Sequence, residues 1–211
     1  YVKTNSWAET ISLMEEKKID LIDSISYSTK RSEYLNFSNK YIGAEIVIIA
    51  NNRNDNYVNS FSTISQKKIA TVKGYSIIED IKHDFPQIKN IIEYDNSLEG
   101  LKEISNSQIA SFILDIPTFE YYSKSYSLSN LKIVGPAGYN YKYGFAVAKE
   151  NIQLLSILNK LLGTMSIQKK DEIYRKWIQV DYKEKINYEL IWKTLYLNVI
   201  GHYSCIHRKF Q

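Results

Sequence analysis

The sequence has 211 residues, 44% of them hydrophobic and 24% charged, which suits one large or two small folded units and excludes a disordered or fibrous chain. The net charge is only +4, and the basic pairs (Lys17-Lys18, Lys30-Arg31, Lys67-Lys68, Lys169-Lys170) are scattered, most of them near acidic neighbours, so no nucleic-acid partner is expected. A single cysteine, Cys205, excludes an internal disulfide, and His83, His202 and His207 form no HExxH-type pair, so neither a metal nor another cofactor is called for.

In chain order, Asn5 or Ser6 can cap a helix over Trp7–Lys17, where Trp7, Ile11 and Met14 share one face. Ile19–Ile25 reads as a short buried strand, and Glu45–Ala50 as a second, almost wholly apolar as central strands are. Asn51–Asn59 is a polar break. A new rhythm follows, with a strand at Lys68–Val72, a turn at Gly74 and a helix over Ile77–Asp84 ended by Pro86. It continues with a strand at Asn90–Tyr94, a helix at Ser97–Ser105, a strand at Ile109–Leu114 and a helix from Pro117 to about Ser125. A strand at Leu131–Val134 precedes Gly135-Pro136 and Gly138, which punctuate a second boundary. Tyr143–Ala148 is a returning strand, and helices follow at Ile152–Gly163 and Ile167–Trp177.

Alternating strands and helices indicate an α/β protein with a mostly parallel sheet. The two breaks make residues 51–140 look like a lobe inserted into another formed by 1–50 and 141–180, so that two hinge crossings join them. Such a hinge suits closure on a ligand. Residues 181–211 form a tail in which Leu190–Gly201 is apolar and aromatic and Arg208-Lys209 follows. A spanning helix needs about 20 apolar residues, and Asn198, His202, Ser204 and His207 interrupt this stretch. Two readings stand: an amphipathic closing helix or frayed end, and the remnant of a membrane anchor with an aromatic belt and a basic flank.

The run from Lys18 through Ile19-Asp20-Leu21-Ile22-Asp23-Ser24-Ile25-Ser26 to Arg31 and Phe37-Ser38, then Tyr41, resembles the signature of family 3 extracellular solute-binding proteins, with Lys40-Tyr41 where Pro-Tyr is usual. The likeness continues at Lys67–Ser76, at Ile109–Asp115 and at Tyr143–Lys149, so it covers the chain to about residue 180. It implies a two-lobe periplasmic binding protein-like (type II) fold, with the first lobe truncated at its N-terminus and Tyr1-Val2 as the end of a strand. The exit, Ile173-Tyr174-Arg175-Lys176-Trp177 and then Tyr188–Lys193, is similar to that of Venus flytrap domains in membrane-bound bacterial sensors, ahead of a histidine kinase or diguanylate cyclase.

Seven residues are candidates for ligand contact. An amino-acid carboxylate calls for a planar, permanently charged, two-pronged donor, which Arg31 supplies and a lysine does not; the resemblance implies that it holds the α-carboxylate. The alternative is an exposed Arg31 pairing with Glu33, worth little. Ser24 and Ser26 lie on the preceding loop, where the family contributes backbone and hydroxyl contacts, although serine also serves turns on its own account. An acid at Asp23, where a small polar residue is usual in the family, would change what is bound. Gly74 permits close backbone approach, and Ser76 stands at a helix start whose free N–H groups favour an anion or simply need a cap. Asp115 ends a strand before Pro117, as an N-cap or, by the resemblance, as partner of the α-ammonium. Trp7 is either core or a ring against the ligand side chain, and Tyr139, Tyr141 and Tyr143 are expected to pack in the second crossing.

The sequence therefore predicts extracytoplasmic binding of a small amino-acid-like solute by lobe closure, in a periplasmic setting. The partner is the chain's own transmembrane and kinase portion if it is a sensor, or an inner-membrane permease if it is the free binding component of an ABC transporter. Two alternatives remain: a purely structural interaction domain, whose mark would be a closed cleft without ligand, and an enzyme of dehydratase type on the same scaffold. The enzyme would need a poised acid or base, for which Asp23, Glu45 and Asp115 are the only candidates near the cleft.

Overall fold

The computed structural model describes residues 1–53, 58, 61, 68–106 and 111–177. Ser6 in extended conformation accepts the Glu9 N–H at 3.1 Å and starts helix α1, Trp7–Glu15. The helix stops short of Lys17, which has φ 58°. Strand β1 (Leu21–Ser26) leads to a one-turn helix α2 (Thr29–Ser32), capped by Ser28, and to strand β2 (Leu35–Phe37). Strand β3 (Ile42–Asn51) is followed by β4 (Ile69–Val72), helix α3 (Ile77–Asp84), β5 (Ile91–Tyr94) and helix α4 (Ser97–Ser105). Strand β6 (Ser111–Asp115) runs into helix α5 (Ile116–Ser125), and strand β7 (Leu131–Ala148) into helices α6 (Ile152–Thr164) and α7 (Ile167–Trp177).

All seven described strands join one sheet in the order β1-β7-β3-β6-β4-β5, with β2 also paired to β7. Only β4·β5 and β4·β6 are parallel; β1·β7, β2·β7, β3·β6 and β3·β7 are antiparallel. The expectation of a mostly parallel sheet is thus corrected. Alternation of strands and helices fixes which elements exist, whereas pairing direction depends on where β7 returns, which no local pattern records.

A second correction concerns β7. The strands expected at 131–134 and 143–148 are halves of one 18-residue strand that passes through Gly135, Pro136 and Gly138. The residues that read as a break mark irregularities in a continuous strand. The register against β3 shifts between Glu45 and Val47 and again between Ile48 and Ile49, opposite Pro136 and Gly135, where a missing N–H is tolerated. A Cβ at Gly135 would run into the Val58 carbonyl, and Gly138 has φ +87°.

Three cores surround this sheet. Met14, Ile22, Ile25, Leu35 and Ala146 pack around β1, β2 and the end of β7. At the other end, Ile46, Ile48, Ile69, Ile77, Ile81 and Ile113 pack on one face, and Val47, Ile49, Ala70, Leu101, Phe112 and Phe119 on the opposite one. Strands β3 and β7 run from the first core to the other two. The polar break at 51–59 lies partly outside the described residues, as does the start of the strand expected from Ile109, and the tail 181–211 lies wholly outside them. No helix among the described residues is long and apolar enough to cross a membrane.

Candidate functional site

A cavity of about 310 Å³ opens where the end of β1, the turn after β4, the end of β6 and the crossing strands β3 and β7 converge. That lies at the lower end of the range of roughly 300–1,000 Å³ typical of small-molecule sites. Six of the seven expected residues line it: Trp7, Ser24, Ser26, Arg31, Ser76 and Asp115. Gly74 is not on the lining; its carbonyl accepts from Arg31 Nη2 at 2.7 Å.

Arg31 sits in α2, and the polar cap of Ser28 starts the turn that carries it inward. It is 6% exposed, so the reading of an exposed ion pair with Glu33 fails. Its Nη1 donates to Ser26 O at 3.0 Å and Ser26 Oγ at 3.2 Å, and its Cζ lies 5.7 Å from the centre of the Trp7 ring. The guanidinium has five N–H donors, and these three bonds leave Nε–H and one N–H of Nη2 without an acceptor among the described residues. No carboxylate pairs with Arg31 among those residues. Burial lowers its pKa from the ordinary value, opposed by the fields of Tyr34 and Glu79. A guanidinium nonetheless stays charged.

Asp115 carries the opposite charge at the far wall. It is 8% exposed, and Oδ1 accepts the Thr118 N–H at 2.9 Å, capping α5 with Pro117 in the first turn. The N-cap reading holds, and the same carboxylate lines the cavity. No cation pairs with it among the described residues. Burial raises its carboxyl above the ordinary range, and the Thr118 N–H partly counters this. A buried charge without a counter-ion is costly, so this cavity holds a separated plus and minus that a ligand of matching charges would neutralise.

The remaining contacts follow from local geometry. Ser76 stands at the N-cap of α3 but makes no side-chain cap; its Oγ shares a hydrogen bond of 2.8 Å with Ser26 Oγ. With Arg31 to Gly74, this ties the β1–α2 segment directly to the β4–α3 turn. Trp7 meets Tyr75 edge-on at 6.0 Å, and its buried Nε1 has no partner among the described residues. Ser24 has φ 49° and lies in a β-bulge, where the β1·β7 register shifts between Ile22 and Ile25. The Tyr41 hydroxyl holds it, accepting from Ser24 N at 3.0 Å and sharing a bond with Ser24 Oγ at 2.9 Å.

Sequence reasoning missed several lining residues. Tyr141 and Tyr143, expected as crossing packing, face the cavity, as do Tyr75 and Thr118. Tyr141 also donates to Asp80 on α3. Alternation along β7 could have grouped Tyr141 with Tyr143, but which face they take is fixed only by the register against β3, where Ile42 pairs with Tyr143 and Ala44 with Tyr141. Of the three acids named as acid–base candidates, Asp23 and Asp115 line the cavity and Glu45 does not. Among the described residues no three His, Cys, Asp or Glu side chains gather as a metal site.

The family model for bacterial extracellular solute-binding proteins, family 3, matches residues 1–180. The virulence sensor protein BvgS of Bordetella pertussis is 24% identical over 174 residues, 80% of this chain and 14% of the sensor. The ABC transporter glutamine-binding protein GlnH of Bacillus subtilis is 24% identical over 177 residues, 82% of this chain and 63% of that protein. The chain thus spans less than two thirds of either relative, both of which are named as sensor or binding proteins. The crystal structure of the BvgS periplasmic VFT2 domain superposes with a TM-score of 0.73 at 22% identity, over 82% of this chain and 74% of that one. That likeness establishes the two-lobe, periplasmic binding protein-like fold that the sequence led us to expect.

Proposed function

The chain belongs to the bacterial extracellular solute-binding proteins, family 3, and from that premise we propose that it binds a small α-amino-acid-like solute between its lobes. The family is extracytoplasmic, and so is this domain. The observation that carries the proposal is the pair of buried, opposite, unneutralised charges, Arg31 and Asp115, on the lining of one 310 Å³ cavity. Arg31 receives the α-carboxylate and Asp115 the α-ammonium. Ser24, Ser26, Ser76 and the Gly74 turn complete the polar wall, and Trp7 packs against the ligand side chain.

The lobes are residues 1–50 with 141–180, and 51–140, with the crossings inside β3 and β7. Closure moves the β4–α3 turn against Arg31. The bonds from Arg31 to Gly74 O and between Ser26 and Ser76 support this closed arrangement. Ligand bridges the lobes and stabilises the closed state by its differential contacts. We further propose that the closed state is read by a membrane-bound signalling protein of which this is the sensing domain, in keeping with the likeness to the BvgS domain. The second reading, the free binding component of an amino-acid ABC transporter, is supported by the GlnH relative.

The test is thermal unfolding of the protein against the twenty common α-amino acids. A ligand at a hundred times its Kd adds about 2.7 kcal/mol, or roughly 5–11 °C for a chain of this size. We expect at least one amino acid to do so, and Arg31→Ala and Asp115→Asn each to abolish the shift. A shift that survives both variants overturns the charge clamp, and no shift with any amino acid overturns the proposed ligand class.

A further inference from the structure

Charge bookkeeping in the cavity carries the argument further. Among the described residues, the charged ones on its lining are Asp23, Arg31 and Asp115, two negative and one positive. An α-amino acid brings one carboxylate and one ammonium, which Arg31 and Asp115 neutralise in the proposed clamp. One carboxylate is then left facing the ligand side chain. From this we infer that the solute is a basic α-amino acid, with Asp23 reading the cationic end of its side chain; the inference rests on the function proposed above.

The backbone gives Asp23 this position. Ile22 and Ile25 both pack in the same core although three residues apart. A regular strand would send them to opposite faces. The bulge at Asp23-Ser24 absorbs the extra residue, with Ser24 in the left-handed region at φ 49°. Bulges beside binding sites re-aim side chains, and an unfavourable conformation of a non-glycine residue persists only where its surroundings enforce it. Here the Tyr41 hydroxyl holds the Ser24 N–H and Oγ. The outcome is an exposed carboxylate on the cavity lining that makes no hydrogen bond or ion pair with any described residue.

The rest of the lining suits a long cationic side chain. Trp7, Tyr75, Tyr141 and Tyr143 line the cavity with aromatic rings, which pack an aliphatic stem and attract a cation. Ile42, Ala44 and Ile46 form an apolar floor along β3 with no further charge. Either an ammonium or a guanidinium meets these requirements, and the experiment includes both.

Titration calorimetry with L-arginine, L-lysine, L-citrulline and L-norleucine tests the inference, the last two being neutral counterparts of the first two. The basic member of each pair is expected to bind more tightly by about five- to thirtyfold, the range between an exposed and an enclosed charge pair. Asp23→Asn should cut that ratio toward one. L-citrulline binding as tightly as L-arginine, or a ratio unaltered in Asp23→Asn, overturns the inference but leaves the proposed function standing, because a neutral amino acid has still bound. Absence of binding by all four overturns the inference, and by the twenty amino acids the proposed function as well.

Discussion

Replacing Asp115 separates two roles that one carboxylate combines. Oδ1 accepts the Thr118 N–H and caps α5, while the buried charge faces the cavity without a cation among the described residues. Asparagine caps a helix as well as aspartate does, whereas alanine forfeits about 0.5–2 kcal/mol, or roughly 1–8 °C of melting temperature. Burial raises the folded-state pKa of Asp115 above the ordinary carboxylate value of 3.8. A group whose folded pKa is raised stabilises fully below its unfolded pKa, and that contribution is lost as pH rises through the folded pKa. Asparagine stays neutral and keeps it. Without ligand, Asp115→Asn should therefore melt at or above the wild-type temperature, with a margin that grows as pH rises above the ordinary carboxylate range. Asp115→Ala should melt below Asp115→Asn throughout. With ligand the order inverts, because removing one member of a buried charge pair costs about 2–5 kcal/mol, at least thirtyfold in Kd. Thermal unfolding between pH 4 and 8, with and without the amino acid that binds wild type, measures all of this. An Asp115→Asn protein that is as destabilised as Asp115→Ala and binds like wild type would refute the reasoning.

Three further expectations concern single groups. A Cβ at Gly100 would run into the ring of fully buried Phe112, so Gly100→Ala should lower the melting temperature despite the better helix propensity of alanine. Overpacking costs about 1–3 kcal/mol, and a higher melting temperature would contradict the packing described. Tyr41→Phe removes both bonds to Ser24 and should cost about 1 kcal/mol while weakening ligand binding through the bulge; unchanged affinity would show that the bulge needs no support. Trp7→Phe keeps a ring beside Arg31 and deletes a buried donor that has no partner among the described residues, so its melting temperature should match wild type, and a loss comparable to that of Trp7→Ala would show that Nε1 has a partner.

Much of this molecule is legible locally, and the failures share one cause. Helices α3 and α4 match their sequence boundaries because their ends are written in adjacent residues: Pro86 just beyond one, and Asn96, whose side chain accepts the Glu99 N–H, before the other. Helix α2 and strand β2, four and three residues long, escape notice because propensity is too weak over so few residues; pairing of Leu35, Asn36 and Phe37 with β7 makes the strand. Gly135-Pro136 reads as a break because local rules see a missing N–H and a missing side chain, whereas the tertiary partner Val58 demands the glycine. In the site, Arg31, Ser26, Ser76 and Asp115 are marked by residue type within a motif. Tyr141 and Tyr143 are not, because only the β3 register turns them toward the cavity.

The central claim is that this cavity recognises both charges of an α-amino acid at once. Calorimetric titration of the protein with an amino acid that stabilises it, beside the matching α-carboxamide and the matching des-amino acid, tests it most directly. The account predicts that each analogue, having lost one charge, binds at least thirtyfold more weakly, because it leaves Arg31 or Asp115 buried and unpaired. An analogue that binds as tightly as the parent amino acid would contradict it.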